Sequence, residues 1–104
     1  MTPLLQRLDG LDSRFAEVGT LITDPEVIAD QKRYVKLTKE YHDLEKIVEA
    51  TKQYRSVLAT IEDAKDVIEN ESDQELRELA REELDEASSS LPEIEERIKL
   101  LLIK

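Results

Sequence analysis

The sequence predicts an all-α protein of three helices: a long antiparallel helical hairpin, coiled-coil-like, with a shorter N-terminal helix packed on its base. Three observations carry this expectation. Charged residues make up 38% of the 104 positions, with only 2 Gly, 3 Pro and no Trp or Cys, a profile of solvated helices rather than of strands and turns. Apolar side chains recur at steps of three and four along most of the chain, the period of an amphipathic helix. Finally, apolar positions of successive segments pair at a nearly constant sum of residue numbers, as antiparallel neighbours joined by short turns must. The length suits one small domain, residues 1–104.

The first helix is expected from about Pro3 to Leu21. Leu4, Leu8, Leu11, Phe15, Val18 and Ile22 form its seam. Pro3 is tolerated in a first turn, where its missing N–H costs nothing. Gly10 and Gly19 each weaken the helix by about 1 kcal/mol relative to Ala, so packing has to hold it. The break falls at Thr23-Asp24-Pro25, with Asp24 as N-cap and Pro25 as first helical residue of a short turn reaching Ala29. Asp30 can cap the next start.

The second long helix is expected from about Gln31 to Asn70. Its seam runs through Tyr34, Leu37, Tyr41, Leu44, Ile47, Thr51, Tyr54, Leu58, Ile61, Ala64 and Ile68, a length of about 58 Å at 1.5 Å per residue. A third helix starts near Asp73, capped by Ser72 or Asp73, and runs to about Leu102 along Leu76, Leu79, Leu84, Ala87, Leu91, Ile94, Ile98 and Leu101. Pro92, with Ser90-Leu91-Pro92-Glu93 read as a capping box, predicts a kink or one-turn break around Ser88 to Leu91.

With a turn centred near Ser72, hairpin partners sum to about 145, as in Ile68 with Leu76, Ala64 with Ala80, Ile61 with Leu84, Tyr54 with Leu91, and Ile47 with Ile98. The first helix pairs with the second at sums near 56, as in Val18 with Leu37, Phe15 with Tyr41 and Leu11 with Leu44. The first helix covers the hairpin only as far as about Thr51. From about Lys52 to Ser90 two helices are expected to project alone, with a hinge where Ser88, Ser89, Ser90 and Pro92 fall.

The net charge is −10, and the acid-rich part is the last third, with five basic and eleven acidic side chains in residues 71–104. Such a balance argues against non-specific nucleic-acid binding as the main activity and against sequence-specific DNA reading. The absence of Cys excludes disulfides and thiolate chemistry and fits a reducing, cytoplasmic setting. No apolar run is long enough for a membrane span, and Met1 to Asp12 has no signal-peptide pattern.

Enzymatic chemistry has no constellation here. His42, the single histidine, lies one position off the seam and reads as a solvated surface group. A di-metal helix-bundle centre needs Glu-x-x-His on two helices, and Lys39 stands where the Glu would be. There is no Gly-rich phosphate loop and no base placed to activate Ser or Thr. The chain reads as non-catalytic, without cofactor or metal. The carboxylates Glu71, Glu75, Glu78, Glu82, Asp85 and Glu86 form a stripe at steps of three and four, more simply a solvated face than a cation site, since no calcium loop is present.

Two groups are candidate interaction sites. Lys32, Arg33, Lys36 and Lys39 cluster along one helix face and could touch phosphates; the plainer reading pairs Lys36 with Glu40 and Lys39 with Asp43. The hairpin tip contributes Glu69, Glu71, Asp73 and Glu75. Tyr34, Tyr41 and Tyr54 lie on the seam, with hydroxyls at its rim.

The ordered string Thr-Asp-Pro-Glu-Val-Ile-Ala-Asp (23–30), Arg33-Tyr34, Lys39-Glu40-Tyr41-His42-Asp43-Leu44-Glu45, Asp63-Ala64, Glu78-Leu79-Ala80-Arg81-Glu82-Glu83-Leu84 and Leu100-Leu101-Leu102 resembles the N-terminal helical domain of bacterial class-one peptide chain release factors. It is nearer to the type reading UAA and UAG than to the type reading UAA and UGA. The resemblance covers essentially the whole chain. It implies a ribosome-docking role in translation termination, near the large-subunit stalk base, with the class-two GTPase release factor as a second partner. The family's Gly-Gly-Gln loop and Pro-x-Thr element are absent from these residues, so no catalytic or codon-reading residue is carried over, and a fragment of a longer protein is expected. A stand-alone helical adaptor is the alternative that the residues themselves leave open, beside a coiled-coil RNA-binding arm, which the acidic hairpin disfavours.

Overall fold

The structure is a computed structural model that describes residues 2–103. It is all-α, with four helices and no strand among the described residues: α1 (Pro3–Leu21), α2 (Pro25–Ala29), α3 (Gln31–Asn70) and α4 (Gln74–Leu102). The five-residue α2 is the short turn signalled by Asp24-Pro25, now counted as an element of its own.

Each helix start is a local solution to unpaired N–H groups. The Thr2 hydroxyl accepts from the Leu5 N–H at 3.2 Å, ahead of Pro3 in the first turn of α1. Asp24 accepts from the Glu26 N–H at 2.9 Å and Asp73 from the Glu75 N–H at 2.9 Å. At the start of α3 the Asp30 carboxylate takes the Arg33 N–H at 3.2 Å.

The chain falls into two compact units that divide inside α3, between Glu49 and Ala50. The first contains α1, α2 and the opening turns of α3. Its buried apolar residues are Leu8, Val18, Val27, Leu37, Leu44 and Ile47, most of them seam positions. Phe15 and Tyr41 stack with ring centroids 4.6 Å apart and planes at 24°. The next turn of α1 offers Gly19 under the same tyrosine: a Cβ there would lie 3.3 Å from Tyr41 Cε1. Glycine here admits a ring at close range.

The second unit pairs the rest of α3 with α4 in antiparallel fashion. Ala50, Thr51, Tyr54, Ile61, Ala64, Ala80, Ile94 and Ile98 are buried. The Tyr54 hydroxyl donates to Glu95 at 2.9 Å, and Arg97 donates to the Gln53 side chain. Tyr54 thus reaches one turn past Leu91, the partner that constant sums predict. Helical side chains lean toward their own N-terminus, and along antiparallel α4 that lean carries the tyrosine tip to higher residue numbers.

A second departure concerns Pro92. Instead of a break near Ser88 to Leu91, α4 is one uninterrupted helix with Pro92 inside it. Ser90 does not cap a new start; its hydroxyl donates backward to the Ala87 carbonyl, and Ser89 does the same to Asp85, each at 2.8 Å. Pro92 removes the bond to the Ser88 carbonyl. Ser88 is exposed, so water can satisfy that oxygen, and the contacts of Glu95 and Arg97 hold the following turns in place.

Candidate interaction sites

The basic group lies in the first unit, at the beginning of α3. Lys32, Arg33, Lys36 and Lys39 are all exposed. Val35, 57% exposed, lies among them, and Ile28 on α2 is 50% exposed.

The plain reading of the cations, Lys36 paired with Glu40, holds only as a weaker Coulombic pull, because a partner from another helix takes the hydrogen bonds. Arg14 on α1 grips Glu40 with two hydrogen bonds, Nε to Oε2 at 2.6 Å and Nη2 to Oε1 at 2.8 Å. It also bonds Glu17 one turn along its own helix. These bonds hold the Glu40 carboxyl below the usual carboxylate range; burial opposes them, while the charges of Arg14 and then Lys36 add a smaller pull the same way. The Arg14 guanidinium is pushed upward in turn, chiefly by the hydrogen bond to Glu40. A planar guanidinium matches a carboxylate edge on, which a lysine one turn away does not. Lys36, exposed, adds only a weaker Coulombic pull on the same carboxylate.

At the hairpin tip the four expected acids divide into two kinds. Glu71 folds back over the turn, its Oε1 accepting from the Ser72 and Asp73 N–H groups at 3.1 Å each. Asp73 is the cap of α4. Both are therefore builders of the turn. Glu69 and Glu75 are exposed and remain available as surface charge. His42, 67% exposed, sits 3.8 Å from Glu45 on its own helix. Among the described residues no group of three or more His, Cys, Asp or Glu is arranged to hold a metal ion, and no helix is long and apolar enough to cross a membrane.

A feature that the one-dimensional pattern did not expose lies on the second unit. Leu76 and Leu79 are 47% and 59% exposed, although both were assigned to the seam. They wall a depression between α3 and α4 together with Val67, over a floor that includes Ala64 and Ala80. Alanines are the available signal: small residues on facing positions leave room that larger neighbours border without filling.

The PCRF domain family matches residues 11–104. The chain belongs to the PCRF domain family. This PCRF domain is 64% identical over 100 residues to Peptide chain release factor 1 of Parabacteroides distasonis and 60% identical over 100 residues to that of Bacteroides fragilis. It is 43% identical over the same length to the protein of that name from Clostridioides difficile. Each comparison covers 96% of this chain but only 27%, 27% and 28% of the respective relatives; the PCRF domain spans about a quarter of the length of the curated relatives it matches. No solved structure matches the chain.

Proposed function

We propose that this PCRF domain is the ribosome-docking part of a bacterial release factor that acts in translation termination at UAA and UAG, in the cytoplasm. The observation that carries the reading is the family match over residues 11–104, with relatives named Peptide chain release factor 1 aligned over 96% of the chain. The domain itself does no bond chemistry; hydrolysis of peptidyl-tRNA and codon reading belong to other parts of such a factor. Its contribution is placement. The exposed cations Lys32, Arg33, Lys36 and Lys39 suit phosphate oxygens, which position a protein on RNA without reading its sequence. Glu69 and Glu75 at the hairpin tip suit a basic protein surface at the stalk base or on the class-two GTPase factor.

Co-sedimentation with 70S ribosomes tests the reading, together with competition against a full-length release factor of the same type. The PCRF domain is expected to pellet with ribosomes at low salt and to compete. Lys32→Glu combined with Lys36→Glu is expected to weaken pelleting and flatten its salt dependence, because each lost phosphate contact removes about one unit of the log–log salt slope. A domain that neither pellets nor competes overturns the proposal.

A further inference from the structure

The depression walled by Leu76 and Leu79 continues beyond the hairpin tip. Toward the other end of α4 it runs on between Val57 and Thr60 on α3 and Ala87 and Ser90 on α4, with Glu83 lining both stretches. From Leu76 to Ser90 it follows α4 for about 21 Å at 1.5 Å per residue. The tip stretch is walled by Val67, Leu76 and Leu79 over Ala64 and Ala80, and the other is lined by Val57 and Ala87 together with Thr60 and Ser90. Its rim is acidic: Asp63 and Glu71 border the tip stretch and Glu86 the other, with Glu83 between them.

We infer that this groove is a docking site for a basic amphipathic helix of a partner protein, about four turns long. Three physical arguments select that occupant. Both walls are helices whose backbone groups are already paired within themselves, so an extended strand laid in the groove would find no hydrogen-bond partners; a helix brings its own. Exposed leucines call for apolar side chains at steps of three and four along one face of that helix. The acidic rim calls for Lys or Arg flanking them, and it repels RNA phosphates and anionic lipid surfaces alike. A second copy of the chain is disfavoured, because its cluster of exposed cations, Lys32 to Lys39, lies on the first unit. A head-to-tail contact of that face with the groove would leave both sites open at the ends and would not close. The inference goes beyond ribosome docking through the basic face, since it concerns a different surface with the opposite charge.

The test uses a labelled helical peptide of about sixteen residues, with leucines on one face flanked by lysines. Binding is followed by fluorescence anisotropy at about 0.15 M salt, where surface charges alone are strongly screened. A companion peptide keeps the lysines and replaces the leucines by alanine. The leucine peptide is expected to bind, with Leu79→Ser weakening it about tenfold or more, as for a central apolar anchor, and Glu83→Lys weakening it by about fivefold. Leu100→Ser removes an equally exposed leucine, 59% exposed, away from the groove and is expected to change affinity by less than about twofold. Circular dichroism checks that each variant keeps its helicity; if Leu79→Ser loses it, Leu76→Ser gives the same reading from the neighbouring wall. Four results overturn the inference: no binding of the leucine peptide, equal binding of the alanine peptide, equal losses for Leu79→Ser and Leu100→Ser, or a self-associated species in sedimentation that Leu79→Ser dissolves.

Discussion

The two glycines of α1 offer a comparison in which the same substitution meets two different surroundings. Gly10→Ala places a methyl group where nothing lies within 4 Å, on an exposed helix position. Only the helix preference acts there, and stability should rise by about 1 kcal/mol. For a domain of this size that raises the melting temperature by about 4–8 °C. Gly19→Ala brings the same gain but sets its Cβ 3.3 Å from Tyr41 Cε1, inside the usual carbon–carbon optimum of about 3.5–4.0 Å. The ring would have to give by a few tenths of an ångström. It is stacked on Phe15 at 4.6 Å between centroids, and disturbing such a pair costs up to about 0.5–1.5 kcal/mol. The gain and the loss therefore nearly cancel, and the two variants should differ by about 1 kcal/mol. Urea and thermal denaturation of both proteins read the difference. In a Tyr41→Ala background Gly19→Ala should recover the full helix gain, the coupling expected of residues in contact. If Gly19→Ala stabilises the parent as much as Gly10→Ala does, the account of why glycine stands under Tyr41 is refuted.

Other interactions give further measurable outcomes. Because Arg14 holds the Glu40 carboxyl below its ordinary range, its contribution is fully present above about pH 4.3, the unfolded value. It disappears as pH falls through the lower folded value, so Glu40→Gln should flatten the acid limb of urea midpoint against pH. Tyr54→Phe removes the 2.9 Å bond to Glu95 and should cost about 1 kcal/mol. Burial first, and then the Glu95 carboxylate, push the Tyr54 phenol upward; its contribution is present below about pH 10 and lost as pH climbs through the folded value, and Tyr54→Phe should remove that alkaline loss. Pro92→Ala restores an N–H opposite the Ser88 carbonyl and should stabilise the protein by up to about 3 kcal/mol, the scale on which proline opposes a helix interior. Amide exchange should then slow on both sides of residue 92; unchanged exchange would mean that proline does not limit the opening of α4 there.

How far the chain could be read without its structure depends on the range of each force. Asp24 before Pro25 marks the start of α2, and Asp73 marks that of α4, because a cap bonds N–H groups two or three residues away. The apolar period marks Leu8, Val18, Leu37, Tyr54 and Ile98 as inward-facing for an equally local reason, the 3.6-residue turn. Even the antiparallel pairing of α3 with α4 follows from a three-residue connection. The one-turn break expected as one outcome at Pro92 is absent from α4 for the converse reason: a local preference for a helix start is outweighed by the packing of Ile94 and Ile98 beside an exposed Ser88.

The amino-acid sequence by itself determined the outer bounds of the helices, the Asp24 cap and the family to which the domain belongs, because these are written in spacings of a few residues and in the order of motifs. Tertiary structure alone decided that Glu40 is gripped by Arg14 with Lys36 adding only a weaker pull, that the Tyr54 hydroxyl bonds Glu95, and that Leu76 and Leu79 border an open groove. Each of these depends on the distance and lean between side chains on different elements, where a fraction of a helical turn changes the partner. No spacing within one helix contains that distance.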